Sequence, residues 1–94
     1  MADRKIVHVL ISGIVQGVWF RAWTAQEAQA RGLDGWVRNR RDGDVEAVFA
    51  GPADKVDDML RACYRGPEAA RVSNVEVQPH ADDPGKGFRK SPTV

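Results

Sequence analysis

The feature that most constrains the fold is the order of strand-like and helix-like segments along the chain. Residues 5–12 alternate β-branched apolar side chains with others, which predicts a buried strand. Residues 21–31 are rich in Ala, Gln and Glu, and Gly32 follows them, a pattern typical of a helix and its C-terminal cap. Residues 33–40 and 44–50 return to strand character.

A second strand–helix pair completes the chain. Asp42-Gly43 predicts a hairpin between the two middle strands, because glycine accepts the positive φ that such a turn needs. Gly51-Pro52 ends the second of these strands and begins a helix, which Gly66-Pro67 stops. The apolar face of this helix follows i, i+3, i+4 spacing and comprises Val56, Met59, Leu60, Cys63 and Tyr64.

The C-terminal third supplies the last strands. Residues 72–78 predict a fourth strand, residues 79–87 a polar loop and residues 88–90 a short last strand. The resulting order, β-α-β-β-α-β, predicts an α+β, ferredoxin-like split βαβ fold. In that fold an antiparallel sheet carries both helices on one face, and residues 1–94 form a single domain.

Composition excludes several classes of protein. No apolar run approaches the roughly 20 residues that cross a membrane, and the charged N-terminus leaves no room for a signal peptide, so we expect a cytoplasmic protein. One cysteine cannot form an internal disulfide or a multi-thiolate metal site. A net charge of +1 does not suggest a nucleic-acid binder. We expect a monomer that acts on a small molecule.

The loop between the first strand and the first helix, residues 13–20, is the first candidate site. Glycines at 13 and 17 let the backbone approach an anion, and the helix N-terminus adds partial positive charge. Arg21 can add a bidentate contact to phosphate. It is also unfavourable toward the helix dipole, which favours an anionic partner. The loop matches neither common nucleotide-binding pattern, and a tight turn beside a solvated arginine stays open.

Asn39, just before the hairpin, is the second candidate. Asparagine is disfavoured in strands, yet Asn39 lies in one, on the same face as Val37. Its carboxamide offers a donor and an acceptor to a water molecule. Spacing alone favours the alternative, a side chain bonded to the turn backbone. Nearby Arg38, Arg40 and Arg41 are either steering groups for anions or simply solvated.

Together these two segments resemble the acylphosphatase family. The first family motif is matched at Gly13, Val15, Gln16, Gly17, Val18, Phe20 and Arg21. The second is matched at Gly35, Trp36, Val37, Arg38, Asn39, Gly43 and Val45. The similarity continues through Gly51-Pro52, the second helix and Gly66-Pro67, and so covers most of the chain.

The resemblance implies hydrolysis of the carboxyl–phosphate bond of acyl phosphates. Arg21 matches the family's phosphate-binding arginine, and Asn39 matches the asparagine that orients the hydrolytic water. The substrate-binding backbone cradle corresponds to Val15, Gln16, Gly17, Val18, Trp19 and Phe20. Family members use no metal or organic cofactor and form no phosphoenzyme. The chain departs from many relatives near Pro92, which limits pairing of the last strand.

The same fold can also carry other functions. An RNA-recognition domain would need exposed aromatic residues on the middle strands, which the pattern does not supply. A metal-carrying ferredoxin-like domain would need paired cysteines, and Cys63 is more simply a core residue. A phosphate-binding domain of a larger enzyme is the remaining rival, although the end of the chain favours a freestanding enzyme. Trp19 either shapes the rim of the site or does not contact it.

Overall fold

A computed structural model describes residues 3–94 as a five-stranded sheet with two helices packed on it. The elements are β1 (Arg4–Ile14), α1 (Phe20–Ala30), β2 (Asp34–Asn39), β3 (Val45–Pro52), α2 (Ala53–Arg65), β4 (Arg71–Pro79) and β5 (Phe88–Lys90). The strand order is β4-β1-β3-β2-β5. The predicted α+β, ferredoxin-like fold is therefore confirmed. Neither helix of this part of the chain has the length and apolar character to span a bilayer.

The prediction of a wholly antiparallel sheet was wrong at one edge. β5 pairs in parallel with β2, with Gly35 opposite Phe88 and Val37 opposite Lys90. The chain reverses direction after β4 and crosses to the far edge, where that reversed direction coincides with the direction of β2. Pairing continues past β5, because the Ser91 N–H donates to the Val37 carbonyl at 2.8 Å.

The core lies between the sheet and the helices. β1 buries Val7, Val9 and Ile11, as its alternation predicted. α2 buries Val56, Met59, Ala62 and Cys63, while Leu60 is partly buried.

Tyr64 was wrongly predicted to belong to the apolar face of α2. It is 60% exposed. A helix turns about 100° per residue, so Tyr64 is rotated away from the stripe centred on Met59 and Cys63. Ala62 takes the buried place on the other flank.

An irregularity in β4 explains how two valines three residues apart pack on the same core. The register with β1 shifts between Ser12, opposite Asn74, and Gly13, opposite Val72. Ser73 is thus an extra residue, a β-bulge that restores the facing of the strand. Val75 is buried and Val72 packs against the same core.

A buried carboxylate organises the helix-free face of the sheet. Glu46 in β3 is 6% exposed. Its oxygens accept hydrogen bonds from Arg38 Nε at 2.7 Å and meet His8 Nε2 at 2.6 Å. Burial alone would raise the pKa of Glu46, but the hydrogen bonds and charges of Arg38 and His8 outweigh it and lower the pKa below its usual value.

We expect Glu46→Gln to lower the free energy of unfolding at pH 7 by about 1–3 kcal/mol, because it leaves Arg38 without its charged acceptor. A depressed folded-state pKa contributes stability that is present above the unfolded value, 4.5, and is lost as the pH falls through the folded value. Urea unfolding at pH 7, 5 and 3 should show the difference between the two proteins shrinking at the lowest pH. Glu76→Gln, on an exposed position of β4, is the matched control.

Candidate active site

The β1–α1 loop contains a run of backbone donors that lack acceptors in the described part of the chain. Trp19 precedes α1 with φ 68° and makes no side-chain cap, and Gly17 has φ 73°. Within residues 3–94, no oxygen accepts a hydrogen bond from the N–H groups of residues 16–22. The first four N–H groups of any helix need partners from outside it. Left-handed residues beside a helix start form concave nests that suit anions.

Arg21 is the second residue of α1 and so belongs to the segment with unpartnered N–H groups. Its side chain is half-buried and forms no ion pair or hydrogen bond with any residue in 3–94. No acidic residue lies in the first turn of α1 to offset its charge against the helix dipole. The loop and the guanidinium together therefore concentrate positive potential that an anion would relieve.

Asn39 ends β2 and is also half-buried. Its carboxamide makes no hydrogen bond to the described part of the chain, so the alternative in which it bonds to the turn backbone is not observed. Instead, the Gln16 side chain occupies the turn carbonyls. Its Nε2 donates to the Arg40 carbonyl at 2.7 Å and to the Asp44 carbonyl at 2.8 Å.

Gln16 thereby couples the two predicted segments. Both of its amide hydrogens bind the β2–β3 hairpin, which holds the β1–α1 loop against the strand that ends at Asn39. The sequence placed Gln16 in the substrate cradle, and its backbone N–H does belong to the unpartnered run. Its side chain instead binds the hairpin, and a sequence motif alone does not predict which distant backbone a glutamine side chain will bind.

A cleft of about 500 Å³ brings the candidates together. Its lining comprises Val15, Gln16, Gly17, Trp19, Phe20, Arg21, Ala22, Asn39, Lys90, Ser91 and Pro92. Arg21 and Asn39, eighteen positions apart in sequence, thus face the same space. Of the predicted cradle residues, Val18 alone does not line the cleft, because it packs against the core.

The C-terminal wall of the cleft was missed from sequence. Lys90, Ser91 and Pro92 reach the site because β5 runs beside β2, which places Lys90 next to Val37 on the edge that carries Asn39. The alternation of side chains from Phe88 to Lys90 indicates a strand. Its place beside the cleft, however, follows only from the parallel pairing with β2. Lys90 has no ion-pair partner among residues 3–94.

The hairpin arginines do not line the cleft. Arg38 Nε bonds Glu46 and its guanidinium stacks on Trp36, 4.6 Å from the ring centroid. Arg40 pairs with Asp42 at 3.1 Å. The charges of these two arginines are therefore largely neutralised locally. Among residues 3–94, the cations that line the cleft are Arg21 and Lys90.

Cys63 is the buried thiol of α2, as predicted, and lies away from the cleft. Burial raises its pKa to about 12. A thiol with that pKa is protonated at neutral pH, so Cys63 is a packing residue rather than a nucleophile.

Comparison with known proteins decides the family. The acylphosphatase family model matches residues 7–90. The chain belongs to the acylphosphatase family. It is 54% identical to an acylphosphatase of Rhizorhabdus wittichii, over 98% of this chain and 93% of that one. An acylphosphatase of Nitrobacter hamburgensis is also 54% identical, over 98% and 99% of the two chains.

A solved acylphosphatase structure supports the same assignment. The enzyme from Coxiella burnetii superposes with a TM-score of 0.91 and 36% identity, covering 95% of this chain and 94% of that one. The relatives, the family model and the fold agree, so the resemblance inferred from the two motifs is confirmed. The protein is a hydrolase of the acylphosphatase type, and hydrolysis of acyl phosphates is its supported activity.

Proposed function

We propose that Arg21 and the β1–α1 loop bind the phosphoryl group of an acyl phosphate, and that Asn39 positions the attacking water. The observation that carries this proposal is the meeting of Arg21, Asn39 and the unpartnered loop N–H groups at one cleft. Each is a group without a hydrogen-bond partner among residues 3–94, and each supplies a different part of what hydrolysis requires.

The phosphoryl oxygens bind to the backbone donors and to Arg21. A phosphate anion accepts several N–H groups at once, and the helix N-terminus adds favourable potential. Charge on these oxygens persists in the transition state of phosphoryl transfer, so donors fixed before reaction stabilise it. Gln16 positions the loop by its two hydrogen bonds to the hairpin.

Asn39 holds the water. Its carboxamide has both a donor and an acceptor available, because it makes no hydrogen bond within residues 3–94. Water attacks phosphorus as the bond between phosphorus and the acyl oxygen breaks, and the electron pair leaves on the carboxylate. The water proton passes to a phosphate oxygen, giving a carboxylate and inorganic phosphate.

The substrate's own oxygen is the proton acceptor in this proposal because the residues of 3–94 that line the cleft include no carboxylate and no imidazole. His8 and His80 are not among the residues that line the cleft. Their rings stack with centroids 5.9 Å apart, and His8 contacts Glu46. An acyl phosphate is an activated anhydride, so orientation and charge stabilisation supply most of what is needed. We accordingly propose that the reaction needs no metal and forms no phosphoenzyme.

Hydrolysis of benzoyl phosphate in ¹⁸O-labelled water, with excess chelator, tests this proposal. We expect full turnover, with the label in inorganic phosphate and none in benzoate, because water attacks phosphorus. Mass spectrometry of both products measures where the label goes. Label in benzoate would place the attack at carbon, and activity that chelator removes and added divalent metal restores would overturn the metal-free mechanism.

We further propose that residues 1–94 act as one monomeric domain in the cytoplasm, on a small substrate and without nucleic acid. The near balance of fourteen basic and thirteen acidic residues supports the last point. The single cysteine fits a reducing compartment.

A further inference from the structure

A second groove adjoins the cleft. It has a volume of about 550 Å³ and is lined by Trp19, Trp23, Arg65, Gly66, Pro67 and Glu68. Trp19 lines both spaces, so the groove and the cleft adjoin at this residue. Two indole rings and a proline make its inner surface apolar, while Arg65 and Glu68 add charge.

Trp19 is held in an unusual state. Trp19 is 58% exposed although its side chain is the largest of the loop. Its backbone has φ 68°, and it is the one non-glycine residue of the described chain with a positive φ. Such a conformation is uncommon for a bulky residue, and where it occurs the surrounding structure imposes it. The loop thus presents an aromatic face between the cleft and the groove.

The opposite wall packs against the start of α1. Gly66 has φ 65°, and a Cβ at that position would lie 2.8 Å from Cε2 of Phe20. The turn that begins at Gly66 is therefore seated directly on Phe20, the first residue of α1 and part of the phosphate cleft. Trp23 in turn packs edge-on against Phe20, with centroids 5.3 Å apart. Both walls of the groove are thus formed by, or packed against, residues that also line the phosphate cleft.

We propose that this groove binds the acyl group of the substrate and favours acyl phosphates with an aromatic or extended apolar acyl chain. The inference rests on the proposed phosphate site at Arg21. With the phosphoryl group there, an acyl group that extends past Trp19 enters the groove and packs against the indole. A short acyl group such as acetyl ends before reaching it. Trp19 is then a specificity-determining residue.

Two substrates and two variants test the assignment. The readout is the ratio of kcat/KM for benzoyl phosphate to kcat/KM for acetyl phosphate. Trp19→Gly suits the positive φ and removes the indole, and we expect it to lower the ratio about three- to tenfold, the worth of one aromatic contact. Tyr64→Ala removes an equally exposed aromatic side chain that lies outside the groove. It should leave the ratio unchanged.

A binding measurement separates this inference from the proposed catalytic function. Calorimetric dissociation constants for phenylphosphonate and methylphosphonate should show the same three- to tenfold loss of aromatic preference in Trp19→Gly. A protein that hydrolyses neither acyl phosphate would fail the proposed function, yet the phosphonate ratio would still report on the groove. An unchanged ratio in Trp19→Gly, or an equal change in Tyr64→Ala, would overturn the inference.

Discussion

Replacing Arg21 by alanine is expected to lower kcat/KM for benzoyl phosphate by about 10²–10³, with KM raised and kcat reduced together. The guanidinium has no partner among residues 3–94 and faces the cleft, so its loss removes charge from the substrate site without breaking a structural ion pair. Steady-state kinetics and the competitive inhibition constant of inorganic phosphate measure the two effects.

Arg61→Ala is the matched control, because Arg61 is a helix arginine with a 72% exposed side chain whose one ion pair within residues 3–94 is to Asp58 at 3.5 Å. It should change neither constant. Arg21→Lys keeps the charge but loses the fork of donors, so we expect an intermediate loss. Native phosphate inhibition in Arg21→Ala together with lost turnover would contradict a phosphate-binding role.

Replacing Asn39 by alanine is expected to lower kcat by about 10²–10³ while the inhibition constant of phosphate changes little. The carboxamide acts on the water in our proposal, so its removal affects the reaction more than binding. The same kinetics give both numbers. Equal losses in kcat and phosphate affinity would instead assign Asn39 to the binding of the phosphoryl group.

Asn74→Ala controls for the loss of a strand asparagine, since Asn74 lies exposed on β4. Asn39→Asp adds a sharper test, because it keeps the size and one acceptor but brings a negative charge to the phosphate cleft. We expect it to weaken phosphate inhibition as well as turnover. An aspartate variant that turned over faster than the parent would point to general-base catalysis at this position.

The local elements were predictable because local chemistry decides them. The alternation of β1 and the stop signals around α2 depend on neighbouring residues, and the observed elements agree. The joining of Arg21 and Asn39 was predictable only through the resemblance, since spacing favoured a turn-bonded asparagine. Within residues 3–94 that bond is not seen, and Gln16 instead binds the turn carbonyls, a contact across 24 and 28 residues.

The features that could not be predicted from the sequence depend on contacts between distant segments of the chain. Lys90 reaches the cleft through a parallel pairing that no local pattern encodes. Glu46 alternates with buried residues and should face solvent, yet the side chains of Arg38 and His8 cover it. Tyr64 fits the spacing of the buried face but lies on its flank, where a helical period of 3.6 residues carries it beyond the sheet.

The buried position of Cys63 makes its reactivity a measure of local unfolding of α2. It is the single thiol of the chain, it faces the sheet from α2, and its raised pKa keeps it unreactive in the folded molecule. A disulfide reagent can therefore label it only while α2 is detached from the sheet. When closing is fast compared with labelling, the labelling rate measures the free energy of that opening in the native protein, without denaturant or an added probe. The same assay, repeated with phosphate present, would show how strongly an anion at the start of α1 restrains α2.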